Sequence, residues 1–209
     1  RKTETELPAY EAFKKQALFR YQKQPVQPAF AEECRDPQAH PFPTKSGKIE
    51  IFSEKVYRTE FKEFMPAIPR YMPPAEGPQD TLTEKYPLQL TGWHTKRRCH
   101  SIHDNNQAMH KMDPQTLWMN PADAVDRNLK DGDLAEVFND RGRIRMPVRV
   151  TDRIMPGVTA ISQGAWYRPD KNGTDTAGSI NVLTSLHPTP YARGNGQHTN
   201  LVEVTRYGL

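Results

Sequence analysis

Proline is spread very unevenly along this chain, and that spread limits where regular structure can form. There are 19 prolines in 209 residues. Pro25, Pro28, Pro37, Pro41 and Pro43 break one stretch, and Pro66, Pro69, Pro73, Pro74 and Pro78 break another. A proline lacks the backbone N–H that helices and sheets use, so both stretches should run as irregular connections. Beyond Asp80 the texture changes to compact β structure with few prolines inside the elements. This places a boundary between residues 1–80 and 81–209.

Within the first region, Tyr10, Phe13, Ala17, Leu18 and Tyr21 share one helical stripe, which predicts a helix over 7–23 started at Pro8. Lys48–Ile49–Glu50–Ile51–Phe52 alternates like a strand with one buried face, and Ser53 suits the cap of a short helix. In the second region, Pro87–Thr91 reads as extended, with a turn at Gly92. Leu117–Met119 reads as a strand. Asn120 caps a short helix with Pro121 at its first position. Lys130–Asp133 is a turn, Leu134–Phe138 a strand, Asn139–Gly142 a tight hairpin connection, and Arg143–Val150 the returning strand. Met155–Pro156–Gly157 turns into Val158–Ile161. Short helices set among strands suggest a small closed barrel rather than a doubly wound sheet.

The net charge is +4 and the pI about 9.0. That balance is mild, so local clustering matters more than the total. The densest cluster is "LTGWHTKRRCHS", residues 90–101. Backbone amides near Gly92, the hydroxyls of Thr91, Thr95 and Ser101, and the side chains of His94, Lys96, Arg97, Arg98 and His100 are what phosphate oxygens accept from. Trp93 could stack on a heterocycle. A solvated basic loop is the plainer alternative, and the local sequence leaves both open. The spacing of His94, His100, His103 and Asp104 fits no strong zinc signature, and the neighbouring cations would repel a metal. Asn181, Thr184, Asn195, Gln197 and His198, set among glycines, suit the donor and acceptor edges of a fused ring, while ordinary turn chemistry at Gly194 and Gly196 is the plainer alternative.

Cys34 and Cys99 are too far apart in sequence to suggest a disulfide framework, and neither belongs to a C-x-x-C pair. No apolar run reaches the length of a membrane span. No nucleophile elbow or phosphate-binding P-loop occurs, so no catalytic centre is visible. The opening "RKTETELPAYEAF" reads as a cut inside a longer protein.

Several strings, in order, resemble one family. "LTGWHTKRRCHS", "WMNPADAVDRNLKDGDLAEVFNDRGRI", "VRVTDRIMPGV", "GAWYRPD", "INVLTS" and "GNGQHTNLVEV" are similar to the C-terminal part of molybdopterin oxidoreductases of the dimethyl sulfoxide reductase group. The resemblance covers roughly residues 86–205. "FPTKSGKIEIFSEK" resembles the segment that precedes it. Trp93 stands where many members carry Arg, which favours the dimethyl sulfoxide reductase-like subgroup.

The resemblance implies a mainly β fold, a six-stranded double-psi β-barrel with short inserted helices, preceded by the tail of earlier domains. It implies molybdenum bis(molybdopterin guanine dinucleotide) as cofactor, held by Thr91, Gly92, Trp93, His94, Thr95, Arg97, Arg98, His100, Ser101, Asn181, Thr184, Asn195, Gln197 and His198. The molybdenum ligand and the iron–sulfur cluster would lie in other parts of the polypeptide, so this chain alone should be inactive. The parent would reduce S- or N-oxides in anaerobic respiration. Its implied partners are the rest of the catalytic subunit, an iron–sulfur electron-transfer subunit and a membrane anchor. It would sit peripherally at the bacterial cytoplasmic membrane, exported by the twin-arginine route, without inserting itself. The rival readings are a basic nucleic-acid-binding module that uses the Trp-containing loop, and an interaction domain without a ligand.

Overall fold

The computed structural model describes the chain except residues 1–6, 21–25, 27, 195, 197 and 209. It divides into two compact units, 1–54 and 55–209.

The first unit holds α1 (Tyr10–Gln16) and α2 (Ala31–Arg35), and α3 (Glu54–Tyr57) begins at its last residue. Of the helix expected over 7–23, Tyr10–Gln16 forms; 17–20 are not helical, and 21–23, with Tyr21, lie outside the described residues. Ala17 takes a left-handed conformation, and its N–H closes on the Phe13 carbonyl. Tyr10 is 72% exposed and Phe13 40%, so the stripe has little to pack against and packing adds little to helix propensity. The expected strand over 48–52 does not form, and Ile49 and Ile51 are exposed. Local bonds tie its first residues back to the turn at 44–47 instead. The Thr44 hydroxyl donates to the Lys48 carbonyl at 2.7 Å, and the Ser46 N–H donates to Glu50 Oε1 at 2.9 Å.

The second unit is built on six strands: β1 (Leu88–Trp93), β2 (Leu117–Met119), β3 (Leu134–Asn139), β4 (Gly142–Val150), β5 (Val158–Ser162) and β6 (Asn200–Arg206). They close into a barrel in the order β1-β5-β2-β4-β3-β6. β1/β5 and β2/β4 are parallel, and the other four pairs are antiparallel. Advancing each strand by three places in sequence order maps the ring onto itself, so the parallel pair β1/β5 becomes β4/β2. Two interlocked three-strand halves with this relation are the double-psi arrangement. Two short helices, α4 (Gln107–Met112) and α5 (Pro121–Asp126), interrupt the strands.

Alternation fills the barrel. Leu88 and Leu90, Leu117 and Met119, Ala135 and Val137, Ile144, Met146 and Val148, and Val202 and Val204 all point inward and are buried. Pro147 falls inside β4, but it lies on the outer face opposite Leu134, the first residue of β3. β6 was the strand that alternation alone did not reveal, since Asn200, Leu201 and Val202 are buried in succession. β1 also runs through Gly92 to Trp93, where the sequence suggested a turn.

The unit boundary falls well before Asp80, and Glu76 gives a reason. Its carboxylate accepts Arg141 Nη1 at 2.6 Å, Arg141 Nη2 at 2.8 Å and the Leu201 N–H at 3.0 Å. Its carbonyl accepts Gln89 Nε2 at 3.1 Å. The Pro-rich connection is thereby clamped to β1, to β6 and to the β3–β4 hairpin. Replacing Glu76 by Ala leaves the Leu201 N–H and the Arg141 fork without this acceptor, and should destabilise the fold by about 1–3 kcal/mol. The exposed Glu84→Ala change should stay within about 0.5 kcal/mol. Chemical denaturation of both variants checks the difference.

Candidate functional site

Parallel pairing of β1 with β5 brings Gly92 beside Ile161 and Trp93 beside Ser162, so both strands end together. Loop 94–116 leaves β1 here and loop 163–179 leaves β5. Loop 183–199 returns to β6, whose first residue, Asn200, pairs with Leu90. Three irregular segments thus gather at one end of the barrel.

Gly92 sits at their junction. A Cβ there would lie 3.0 Å from Gln163 Nε2 and 3.3 Å from Ile180 Cδ1. Its N–H donates to His198 Nδ1 at 3.3 Å, and His198 Nε2 lies 3.5 Å from Gln163 Nε2. Asn181 follows Ile180 on the short 3-10 turn Ile180–Val182 and is exposed. The Thr184 hydroxyl donates to the Asn181 carbonyl at 3.2 Å from a buried position. The fold therefore brings Gly92, Gln163, Ile180 and His198 together from distant parts of the sequence, with Asn181 next to Ile180. Asn195 and Gln197 lie outside the described residues.

Thr91 and Trp93 are on the outer face of β1. The Trp93 ring lies 5.0 Å from that of Trp118, and the Arg149 and Arg153 guanidinium groups each sit 5.2 Å from the Trp118 ring. The Trp93 indole N–H is buried without a partner among the described residues. His94 and His100 meet edge to face at 4.8 Å. Thr95 caps its own loop, its hydroxyl oxygen accepting the Arg98 N–H at 3.0 Å. Lys96 and Arg97 are exposed, with no carboxylate partner among the described residues.

Arg98 does something different from the phosphate grip that the sequence suggested. Its side chain is 1% exposed and pairs with the equally buried Asp104. The guanidinium also donates to Gln115 Oε1 at 2.6 Å and reaches Ser162 Oγ at 3.4 Å. Gln115 in turn donates to the Ser162 and Gly178 carbonyls at 2.8 and 3.0 Å. Arg98 is a bolt that fastens the basic loop to the barrel, and Arg97 is the neighbour left facing solvent.

Sequence reasoning missed the residues that shape this end from beneath: Gln115, Gln163, Trp166 and Asp175. One available signal was the polar pair Ser162–Gln163, directly after the apolar Ala160 and Ile161. Asp175 is fully buried and accepts the N–H groups of Arg168, Ala177, Gly178 and Ser179. In the same loop, the Asn172 N–H holds the Asp170 carboxyl below the usual carboxylate range, helped by Thr174 and Arg145 against desolvation.

The donor set fits an anionic, partly aromatic ligand. Among the described residues, cations without a carboxylate partner, an indole N–H without an acceptor and a glycine closely packed by Gln163 and Ile180 all occur at one barrel end. Arg98→Ala would strand the Asp104 carboxylate in the interior and should destabilise the fold by about 3–5 kcal/mol. Arg97→Ala should change stability by no more than about 0.5 kcal/mol. Denaturant titration of the two variants separates these roles.

Residues 88–201, more than half of the chain, match the Molydopterin dinucleotide binding domain. Dimethyl sulfoxide reductase DmsA of Haemophilus influenzae is 44% identical over 208 residues, covering 96% of this chain and 26% of that protein. Its Escherichia coli counterpart is 43% identical with the same coverage. A dimethyl sulfoxide/trimethylamine N-oxide reductase of Rhodobacter capsulatus is 35% identical over 217 residues, 97% of this chain and 26% of that protein. Acetylene hydratase from Pelobacter acetylenicus shares the fold, with a TM-score of 0.60 at 17% identity over 81% of this chain and 25% of that one. The chain thus spans about a quarter of the length of the curated relatives it matches. The matched residues begin with β1 and end within β6, so they enclose the barrel and the three loops at its end, and the chain belongs to the molydopterin dinucleotide binding domain family.

Proposed function

We propose that this chain is the cofactor-holding part of the catalytic subunit of a reductase acting on dimethyl sulfoxide or related S- and N-oxides in anaerobic respiration. The observation that carries the reading is the convergence of Gly92, Trp93 and His198 at one barrel end, beside Lys96 and Arg97, which have no carboxylate partner among the described residues. The names of relatives 35–44% identical support the substrate class.

The cofactor in this proposal is molybdenum bis(molybdopterin guanine dinucleotide), with an iron–sulfur cluster held elsewhere in the polypeptide. When bound, the molybdenum supplies two-electron oxygen-atom chemistry. The residues of this chain hold, orient and neutralise. Lys96 and Arg97 offer charge-assisted donors to phosphate oxygens. The hydroxyls of Thr91, Thr95 and Ser101 and the imidazoles of His94 and His100 add donors along the same loop. The Trp93 indole N–H, Asn181 and His198 present directional groups to a fused ring, and Asn195 and Gln197 belong to the same set by resemblance. Arg98 and Thr184 act from behind, by fixing the backbone.

An iron–sulfur subunit and a membrane anchor are the proposed partners, with the assembly peripheral at the cytoplasmic membrane after twin-arginine export. No helix among the described residues is long and apolar enough to cross a membrane. The nucleic-acid reading has no support in the family match or in the relatives.

Two outcomes test the proposal. The 209-residue chain alone should show no oxide reductase activity, because the molybdenum ligand is expected elsewhere; turnover above a blank rejects that division of labour. In the full-length protein, Arg97→Ala should lower molybdenum per protein while leaving the thermal midpoint of the cofactor-free form unchanged. Full molybdenum content in both Arg97→Ala and Lys96→Ala would mean that the basic loop is merely solvated.

A further inference from the structure

Asp104 is where the loop leaving β1 and the loop leaving β5 are locked to each other. Its carboxylate is 1% exposed. One oxygen receives Arg98 Nη1 and lies 3.2 Å from His110 Nε2 on α4. The other accepts the Trp166 backbone N–H at 2.8 Å and lies 3.7 Å from Arg168 Nη2. His110 Nε2 also reaches the Asp104 carbonyl at 2.7 Å. Arg98 and His110 belong to the first loop, and Trp166 and Arg168 to the second. A carboxylate this buried is stable only where its partners are fixed, so the pairing ties both loops to one geometry.

Two further contacts join the same loops. The Trp166 indole N–H donates to the Ser101 carbonyl at 2.9 Å. A Cβ on Gly164 would lie 1.8 Å from the His100 carbonyl oxygen, so the two backbones touch where only glycine fits. His100 and His103 have φ of +50° and +71°, left-handed values that a non-glycine residue keeps only when its surroundings impose them. The strained turn therefore lies between the Asp104 lock, the Trp166 bond and the Gly164 contact.

We infer that Asp104 and Trp166 are positioning residues that set the backbone of His100 and Ser101 for the cofactor before it arrives. They act through the loop, and the inference rests on the proposed reading of this barrel end as the cofactor face. Pre-setting a loop lowers the ordering cost that binding would otherwise carry.

The test uses the full-length protein and three variants. Trp166→Phe removes the indole donor but keeps an aromatic ring, and Asp104→Asn removes the buried charge. Asp170→Asn is the control, placed in the same loop with no bond to residues 98–104. Amide hydrogen exchange is measured across 98–104 in the cofactor-free form, together with the rate of molybdenum loss from the loaded form and the thermal midpoint. Trp166→Phe should exchange faster across 98–104 and lose molybdenum roughly tenfold faster, the lower range for outer partners of a metal site. Its thermal midpoint should stay near that of the wild type. Asp104→Asn should raise exchange across 98–104 and molybdenum loss more strongly but with a lowered midpoint, because the buried Arg98 guanidinium loses its carboxylate; if it does not fold, Trp166→Phe decides the matter. Asp170→Asn should lower the midpoint without either local effect. If the wild type retains molybdenum and Trp166→Phe matches it in exchange and retention, the positioning role is overturned on its own. A Trp166→Phe protein with a lowered midpoint and uniformly faster exchange also overturns it, since that pattern is general destabilisation. Wild-type protein that purifies without molybdenum overturns the cofactor reading itself, and this assignment with it.

Discussion

Barrel closure is the constraint on which the rest of this structure depends. β6 pairs antiparallel with β1 on one side and with β3 on the other, and without it both strands would present unpaired edges. Closure also decides where function can sit. The β1/β5 parallel pair ends at one rim, and the segments joining β1 to β2 and β5 to β6 are the two longest connections between strands. The remaining joins are shorter: residues 120–133 with α5 between β2 and β3, residues 151–157 between β4 and β5, and the tight Asn139–Gly142 hairpin. The chain length left over after building the barrel is thus concentrated where the loops can meet over a ligand.

Buried carboxylates, rather than apolar contacts, organise those loops. Asp175 gathers four backbone N–H groups, Asp104 gathers the Arg98 side chain of one loop and the Trp166 backbone N–H of another, and Glu76 clamps the Pro-rich connection. Irregular backbone has donors that no ladder satisfies, and a carboxylate with two oxygens can accept several of them. The cations divide by the same logic. Arg98 and Arg141 are used to neutralise these acids, while Lys96 and Arg97 have no carboxylate partner among the described residues and face solvent.

Much of the second unit was legible because its signals are local. Asn120 and Pro121 start α5 as their chemistry requires, with the Asn120 side chain accepting the Ala122 N–H at 3.0 Å. Gly132 takes the φ of +86° that its turn needs. The first unit was less legible. The stripe at Tyr10 and Phe13 and the alternation at Ile49 and Ile51 are real patterns, but a pattern produces structure only when a partner surface is there to bury it.

The order of amino acids alone shows that a β-rich, turn-punctuated unit follows Pro-rich connections, and that residues 91–101 crowd donors and cations into one loop. Alternation, capping and proline act over a few residues, so they can be read without the fold. Long-range packing sets the rest: Arg98 turns inward while Arg97 stays outside, Gly92 continues β1, and His198 accepts the Gly92 N–H. The direction in which a side chain points within an irregular loop is set by partners far away in sequence. Arg98 finds Ser162 across 64 positions and Gly92 finds His198 across 106, distances that only the closed barrel brings together.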